Sequence, residues 1–103
     1  MAIGPTPIYY ILNALYRGQG MSTALTVGDI ALTIGWRPGY TRDVLEEMYK
    51  MGLVMTIPEK PEYLEGKEIT ILWTLTDKGK ELAEKVFRNV KEWRRIITEE
   101  LKL

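Results

Sequence analysis

The fold of this chain is decided by the stretch Gly35-Trp-Arg-Pro-Gly-Tyr-Thr-Arg-Asp-Val-Leu-Glu-Glu-Met-Tyr-Lys-Met-Gly-Leu-Val54. Pro38 suits the first turn of a helix, where no backbone donor is needed, and Gly52 is typical of a helix end. At helical spacing, one side carries Thr41, Val44, Leu45 and Met48, and the other carries Arg42, Asp43, Glu46 and Lys50. The stretch therefore predicts a helix with one face toward a core and the other toward an external partner.

A shorter helix is predicted immediately upstream, over residues 26–35. Thr26 and Asp29 form a capping-box-like start, and Gly35 is a suitable end. Two helices joined by a tight turn that contains glycine make a helix-turn-helix.

A β-hairpin is predicted downstream of the second helix. Residues 53–57 and 69–75 are rich in β-branched and aromatic side chains. Between them, Pro58, Pro61 and Gly66 interrupt any ladder, so the hairpin has a long tip. Residues 22–25 are predicted to form a short strand that pairs with this hairpin.

The N-terminal part predicts another helix after a short irregular arm. Thr6 is a plausible N-cap and Pro7 a suitable first residue. The helix runs to about Arg17 and carries one apolar stripe, with Tyr10 lying away from it. The stripe consists of Ile8, Ile11, Leu12 and Leu15.

The C-terminal segment predicts one long helix over residues 77–101. It has no proline, its only glycine lies in the first turn, and apolar residues recur every three or four positions. Such a helix would be about 37 Å long, more than a small domain needs to cover its core. Its distal half can pack along the first helix of its own chain or against a second copy. The second copy is preferred, because an exposed apolar stripe of this size is unusual in a monomer.

The predicted dimer interface follows this stripe. It comprises Val86, Val90, Trp93, Ile97 and Leu101. Asn89 lies near the same seam, where a buried polar residue can set the register of two helices.

These motifs resemble those of winged helix-turn-helix proteins, particularly the PadR-like and MarR-like regulators. The similarity rests on Ile30-Ala31, Gly35, Pro38-Gly39, Leu45 with Met48, Gly52-Leu53-Val54, and Trp73-Thr-Leu-Thr-Asp-Lys-Gly79, and it covers residues 8–82. It implies a mainly α, α+β winged helix-turn-helix with a three-helix core, a β-hairpin wing and a long C-terminal helix. One domain over residues 1–103 is expected, with the core at 5–76 and a dimerisation helix at 77–103.

The composition limits the function classes. With 103 residues and 46% hydrophobic content, the chain has room for one globular domain. It contains no cysteine and no histidine, which removes thiolate and imidazole chemistry, so we expect no enzyme, no metal site and no cofactor. No apolar run approaches the roughly 20 residues that cross a bilayer, so no membrane association and a cytoplasmic location are expected.

The resemblance and the helix pattern together predict a DNA-binding surface. Arg37, in the turn, can donate to phosphate or guanine, and Arg42 is the first choice as a base reader. Gly39 allows close backbone approach to a phosphate. Tyr40 offers a hydroxyl for phosphate or a ring for a thymine methyl group, and Asp43 can accept from cytosine or orient Arg42. In the wing, Lys60 and Lys67 are weaker candidates.

The charge balance favours two functions of different classes. The net charge is zero, and residues 37–50 carry three cations and three anions. The wing tip is net acidic, with two lysines against four glutamates. The first hypothesis is a homodimeric, sequence-specific transcriptional regulator that binds double-stranded DNA through the major groove. The alternative is a winged-helix module that binds proteins of the transcription or replication machinery without strong DNA binding.

A small-molecule effector is a further expected partner, by similarity to MarR-like proteins. Its pocket would lie between the dimer helix and the DNA-binding part, near Trp36, Trp73 or Trp93. The preferred interpretation of these three tryptophans is that they belong to the core, since large aromatic side chains are usually buried in small domains.

Overall fold

The computed structural model describes residues 3–18, 20–59 and 70–103, except for the side chain of Glu59. The described elements are five α-helices, one short 3-10 helix and four strands. In chain order they are α1 (Pro5–Leu15), β1 (Tyr16–Arg17), β2 (Met21–Ser22), α2 (Val27–Ile34), α3 (Pro38–Lys50), β3 (Val54–Glu59), β4 (Thr70–Leu75), α4 (Asp77–Arg88), the 3-10 helix (Val90–Glu92) and α5 (Trp93–Leu101).

The helix-turn-helix is formed by α2 and α3, as predicted. The hydroxyl of Thr26 accepts from the backbone N–H of Asp29 at 3.0 Å, which caps α2. Gly35 ends α2 with a φ of 86°, a left-handed conformation that glycine adopts without strain. Pro38 opens α3 at its first turn. The buried hydroxyl of Thr41 donates to the carbonyl of Arg37 at 2.9 Å, so it is satisfied inside the helix.

The start of α1 differs slightly from the prediction. The helix begins at Pro5 with Gly4 at the N-cap, and no side chain of a described residue caps it. Proline fixes φ near the helical value, so Pro5 as well as Pro7 can occupy the first turn. Thr6 is therefore inside the helix rather than at its cap.

The hairpin β3–β4 is antiparallel, with a register from Val54 opposite Leu75 to Glu59 opposite Thr70. The predicted strand over residues 22–25 is confirmed at Leu25, which exchanges backbone hydrogen bonds of 3.0 and 2.7 Å with Trp73. Ser22 belongs instead to β2, which pairs with β1.

The prediction of one long C-terminal helix is wrong. Asn89 leaves the helical region (φ −142°, ψ 68°), the 3-10 helix follows, and α5 runs back along α1 and α4. Asparagine favours local backbone hydrogen bonding over helix continuation, which suits this break. An ion pair of 2.9 Å between Lys85 and Glu100 joins α4 to α5 across the turn. Asn89 is exposed at the break and does not lie in a buried seam.

The apolar stripe of the C-terminal segment is consequently covered within the chain. Val86 and Ile97 have no exposed surface, and the rings of Trp93 and Tyr9 lie 4.6 Å apart. Leu101 is half-buried, whereas Val90 is 48% exposed. The expectation that the distal half needs an external partner for its burial is therefore wrong, and the alternative of packing on the first helix is confirmed.

A close backbone approach fixes the position of α4. The carbonyl of Leu53 accepts from the N–H of Thr76 at 3.0 Å. A Cβ atom at Gly79 would overlap the same carbonyl oxygen. Glycine is thus required where the first turn of α4 crosses the end of the α3–β3 connection.

One apolar core joins these elements. Its fully buried large side chains are Ile8, Ile11, Leu12, Leu15, Ile30, Val44, Leu45, Met48, Leu53, Val54, Val86 and Ile97. The four stripe residues predicted in α1 all belong to it. Among the helices in the described ranges, none has both the length and the apolar composition needed to cross a membrane.

Candidate nucleic-acid interface

The outer face of α3 is the candidate interface. The inner face packs Val44, Leu45 and Met48 into the core, so the helix cannot rotate without exposing them. The outward positions are Pro38, Gly39, Arg42, Asp43, Glu46, Tyr49 and Lys50, together with Tyr40. Core packing therefore determines which side chains α3 presents to a partner.

Arg42 lies on the flank of α3 that faces the hairpin. It lines a groove with a volume of about 550 Å³. The groove is also lined by Thr26, Val27 and Gly28 at the start of α2, by Glu46, and by Thr70, Ile71 and Trp73 of β4. The guanidinium of Arg42 forms no hydrogen bond or ion pair with another described residue, although Glu46 borders the same groove.

Tyr40 lies on the opposite flank and belongs to an aromatic cluster. Its ring lies 5.0 Å from that of Trp36, with the planes 74° apart. Trp36 in turn meets Tyr10 at 6.0 Å and 70°. These edge-to-face contacts hold the Tyr40 ring on the surface, where 41% of the residue is exposed.

The turn before α3 presents Arg37 and Gly39. Arg37 occupies the N-cap position, and its guanidinium is exposed without a partner in the described part of the chain. Gly39 is exposed, and no atom lies within 4 Å of the position a Cβ would take. The N-terminal end of α3 therefore has open space beside the guanidinium groups of Arg37 and Arg42, neither of which has a partner among the residues that the structure describes.

The carboxylates of α3 keep its outer face mixed in charge. Asp43 and Glu46 are exposed, and Lys50 pairs with Glu47 at 3.3 Å. Arg42 and Lys50 thus share α3 with the three predicted anions, and the carboxylates of Asp43 and Glu46 lie on its outward surface. Within the described ranges, no group of acidic side chains is arranged to hold a metal ion.

The two wing candidates, Lys60 and Lys67, lie outside the described residues.

The three tryptophans differ in burial. Trp73 is 9% exposed and belongs to the core as predicted, whereas Trp36 and Trp93 are half-buried and pack against it.

Sequence reasoning missed the contributions of Gly28 and Ile71 to the groove beside Arg42. A signal for Ile71 was present, because alternation along a strand puts it on the same face as Trp73. The alternation does not tell which face of the hairpin meets α3. That choice follows from the packing of β4 against α1 and α4, which are contacts between distant parts of the chain.

Three solved structures share this fold. A MarR family transcriptional regulator from Silicibacter pomeroyi is 18% identical, with a TM-score of 0.63 over 92% of this chain and 60% of its own. A MarR family protein from Bacillus stearothermophilus is 22% identical, with a TM-score of 0.59 over 98% and 61%. A point variant of Lactococcus lactis ZitR is 19% identical, with a TM-score of 0.62 over 91% and 57%.

These likenesses show that the chain has the winged helix-turn-helix fold, as its motifs predicted. The chain spans about 60% of the length of the matched structures. No protein-family model matches the sequence, and the search of curated proteins gives no significant match.

Proposed function

We propose that this chain is a sequence-specific DNA-binding transcriptional regulator that places α3 in the major groove. The observation that carries the proposal is the pair of exposed guanidinium groups of Arg37 and Arg42 at the N-terminal end of α3, which have no partner in the described ranges. In helix-turn-helix proteins, the N-terminal residues of the second helix contact base edges. The MarR family regulator named above shares this fold and supports the same function.

The distribution of ion pairs strengthens this choice of residues. On the C-terminal helices, Lys85 and Arg95 are engaged with neighbouring glutamates at 2.8 to 2.9 Å. Arg37 and Arg42 have no such partner in the described chain, so phosphate or guanine would not have to displace an internal carboxylate. Phosphate contacts supply most of the affinity for any duplex, and base contacts supply the specificity.

The first experiment is an anisotropy titration of random-sequence duplex DNA at several salt concentrations. The proposal predicts that log affinity falls linearly with log salt, because bound cations release counterions from the duplex. Arg37→Gln should make the slope shallower by about one. Arg88→Gln, which removes an equal charge from the end of α4, is the matched control and should keep the wild-type slope. Absence of duplex binding at low salt would reject the proposal.

We also propose that the regulator acts as a homodimer. Two recognition helices would then enter successive major grooves about 34 Å apart on a palindromic site. Since Val86 and Ile97 are buried in their own chain, a second copy can reach only Val90, Trp93 and Leu101 of the predicted interface.

The alternative, a protein-interaction module, is favoured by a different observation. Met55 and Ile57 project from one face of β3 and are 43% and 38% exposed. They lie on the face of the hairpin opposite to the one, with Thr56 and Trp73, that borders α3, and an exposed apolar sheet face suits a protein surface. This function predicts a stable protein complex whose formation does not require duplex DNA. Met55→Gln, which adds a polar group without a charge, should weaken that complex and leave DNA binding unchanged, which separates the two functions.

A small-molecule effector remains part of the proposal. Among the three tryptophans, Trp73 lines the groove beside Arg42 and a smaller one of about 290 Å³ beside Tyr49 and Lys50. A ligand in either groove would compete with DNA directly. Quenching of tryptophan fluorescence by a bound ligand in the wild type but not in Trp73→Phe, with loss of duplex binding, is the measurement that tests this.

A further inference from the structure

We propose that the ring of Tyr40 reads the 5-methyl group of thymine in the major groove. This inference rests on the proposed function and adds a specificity-determining residue to it. Tyr40 is the third residue of α3, within the turn that meets base edges in helix-turn-helix proteins. Its residue surface is 41% exposed, and its hydroxyl has no hydrogen-bond partner among the described residues.

The ring is held in place before any ligand arrives. Trp36 supports it edge to face at 5.0 Å, and Tyr10 supports Trp36 at 6.0 Å. A side chain fixed in this way loses little conformational entropy on binding, which makes a small apolar contact effective.

Apart from Pro38, the outward neighbours of Tyr40 in the first two turns of α3 carry no apolar side chain that could contact a methyl group. Gly39 has no side chain, and open space surrounds it, so a base edge can approach the first turn of α3. Asp43 and Glu46 are carboxylates, which accept hydrogen bonds from base amino groups and cannot favour a methyl group. In the major groove of unmodified DNA, the thymine methyl is the apolar group that a ring can contact.

The test begins with sites selected by the wild-type protein from a random duplex library. In the best site, each thymidine is then replaced singly by deoxyuridine, which lacks only the methyl group. We expect about fourfold weaker binding at one position in the bound sequence, the effect of one methyl group kept from water. The Tyr40→Ala variant should bind the thymidine and deoxyuridine duplexes equally, whereas Tyr40→Phe should keep the preference.

Met21→Ala is the control for loss of an exposed apolar side chain, because Met21 is 72% exposed on β2, outside α3. It should keep the thymine preference. Loss of the preference in Tyr40→Phe would overturn the inference by assigning the contact to the hydroxyl. A second duplex series, with 5-methylcytosine in place of cytosine, tests the other base that can present a 5-methyl group in the major groove. A Tyr40-dependent gain there, without any effect of deoxyuridine, would overturn thymine as the ligand.

The outcomes also separate this inference from the proposed function. Salt-dependent duplex binding with no deoxyuridine effect at any position would overturn the role of Tyr40 and leave the regulator intact. Absence of duplex binding by the wild type would overturn both.

Discussion

The indole of Trp93 lies 4.6 Å from the ring of Tyr9, with the planes 31° apart, and this contact joins the first residue of α5 to the middle of α1. Arg94 adds its guanidinium over the same indole at 4.8 Å. The reversal of the chain at Asn89 is what brings these groups together. Removing either ring should therefore loosen the C-terminal helix from the rest of the domain.

Trp93→Ala should lower the free energy of unfolding by about 2 kcal/mol, less than for a fully buried tryptophan because Trp93 is half-buried. Urea unfolding followed by circular dichroism measures the loss. Lys91→Ala, an exposed change in the adjoining 3-10 helix, is the control and should stay within about 0.5 kcal/mol. Equal stability of the two variants would show that the ring contact does not hold α5.

Gly79→Ala should destabilise the fold by about 1–3 kcal/mol, because the new methyl group would overlap the carbonyl oxygen of Leu53. Thermal unfolding gives the comparison. Gly28→Ala is the control within a helix, where the nearest other atom is the Thr26 hydroxyl at 3.8 Å. That change should be neutral or stabilising by up to about 1 kcal/mol. If Gly79→Ala melts at the wild-type temperature, that result would contradict the close approach between residue 79 and the carbonyl of Leu53.

Arg42→Ala should weaken binding to a selected site by about 1–3 kcal/mol and relax the base preference at one position. The guanidinium has no partner to rearrange in the part of the chain that the structure describes, so the change should leave stability unaltered. Competition binding against single-base variants of the site provides the measurement. Wild-type affinity and preference in the variant would show that Arg42 is not a base reader.

Val90→Glu should convert the proposed dimer into a monomer, since Val90 is the most exposed residue of the predicted interface that the structure describes. Analytical ultracentrifugation at micromolar concentration distinguishes the two states. Met21→Glu, at a residue 72% exposed on β2, should remain dimeric. A wild-type protein that sediments as a monomer would remove the dimer from the proposed function.

From the environment of Tyr16 we expect the free energy of unfolding to fall at alkaline pH. Partial burial, followed by the charge of Glu84 and a hydrogen bond to it, raises the pKa of the Tyr16 phenol above its usual 10.0. Because the folded-state pKa exceeds the unfolded one, the stabilisation is complete below pH 10 and is lost as the pH rises through the folded value.

Tyr16→Phe keeps a ring for the stack on Phe87, at 5.8 Å and 9°, but removes the titrating group. The difference in unfolding free energy between wild type and variant should therefore fall as the pH rises above 10. Urea unfolding over this pH range measures it, and ultraviolet titration of the phenol gives the pKa directly. A constant difference would show that Tyr16 titrates alike in both states.

The candidate site was largely readable in the sequence, because it depends on one amphipathic helix. The periodicity that buries Thr41, Val44 and Leu45 also determines that Arg42 and Asp43 face outward. The sequence did not predict which residues surround those side chains. Tyr10 beside Trp36 and Ile71 across from Arg42 come from other elements, whose positions depend on packing between distant segments.

The sequence by itself determined the helix-turn-helix, its caps at Thr26 and Gly35, and the strands of the wing, since those signals act within a few residues. Only the tertiary structure decided the course of the C-terminal segment. The same spacing of apolar residues fits one helix paired with a second copy or two helices that share a core. The break at Asn89 is stable because it buries Ile97 completely and packs Trp93 against Tyr9. The local periodicity of apolar residues does not predict these long-range contacts.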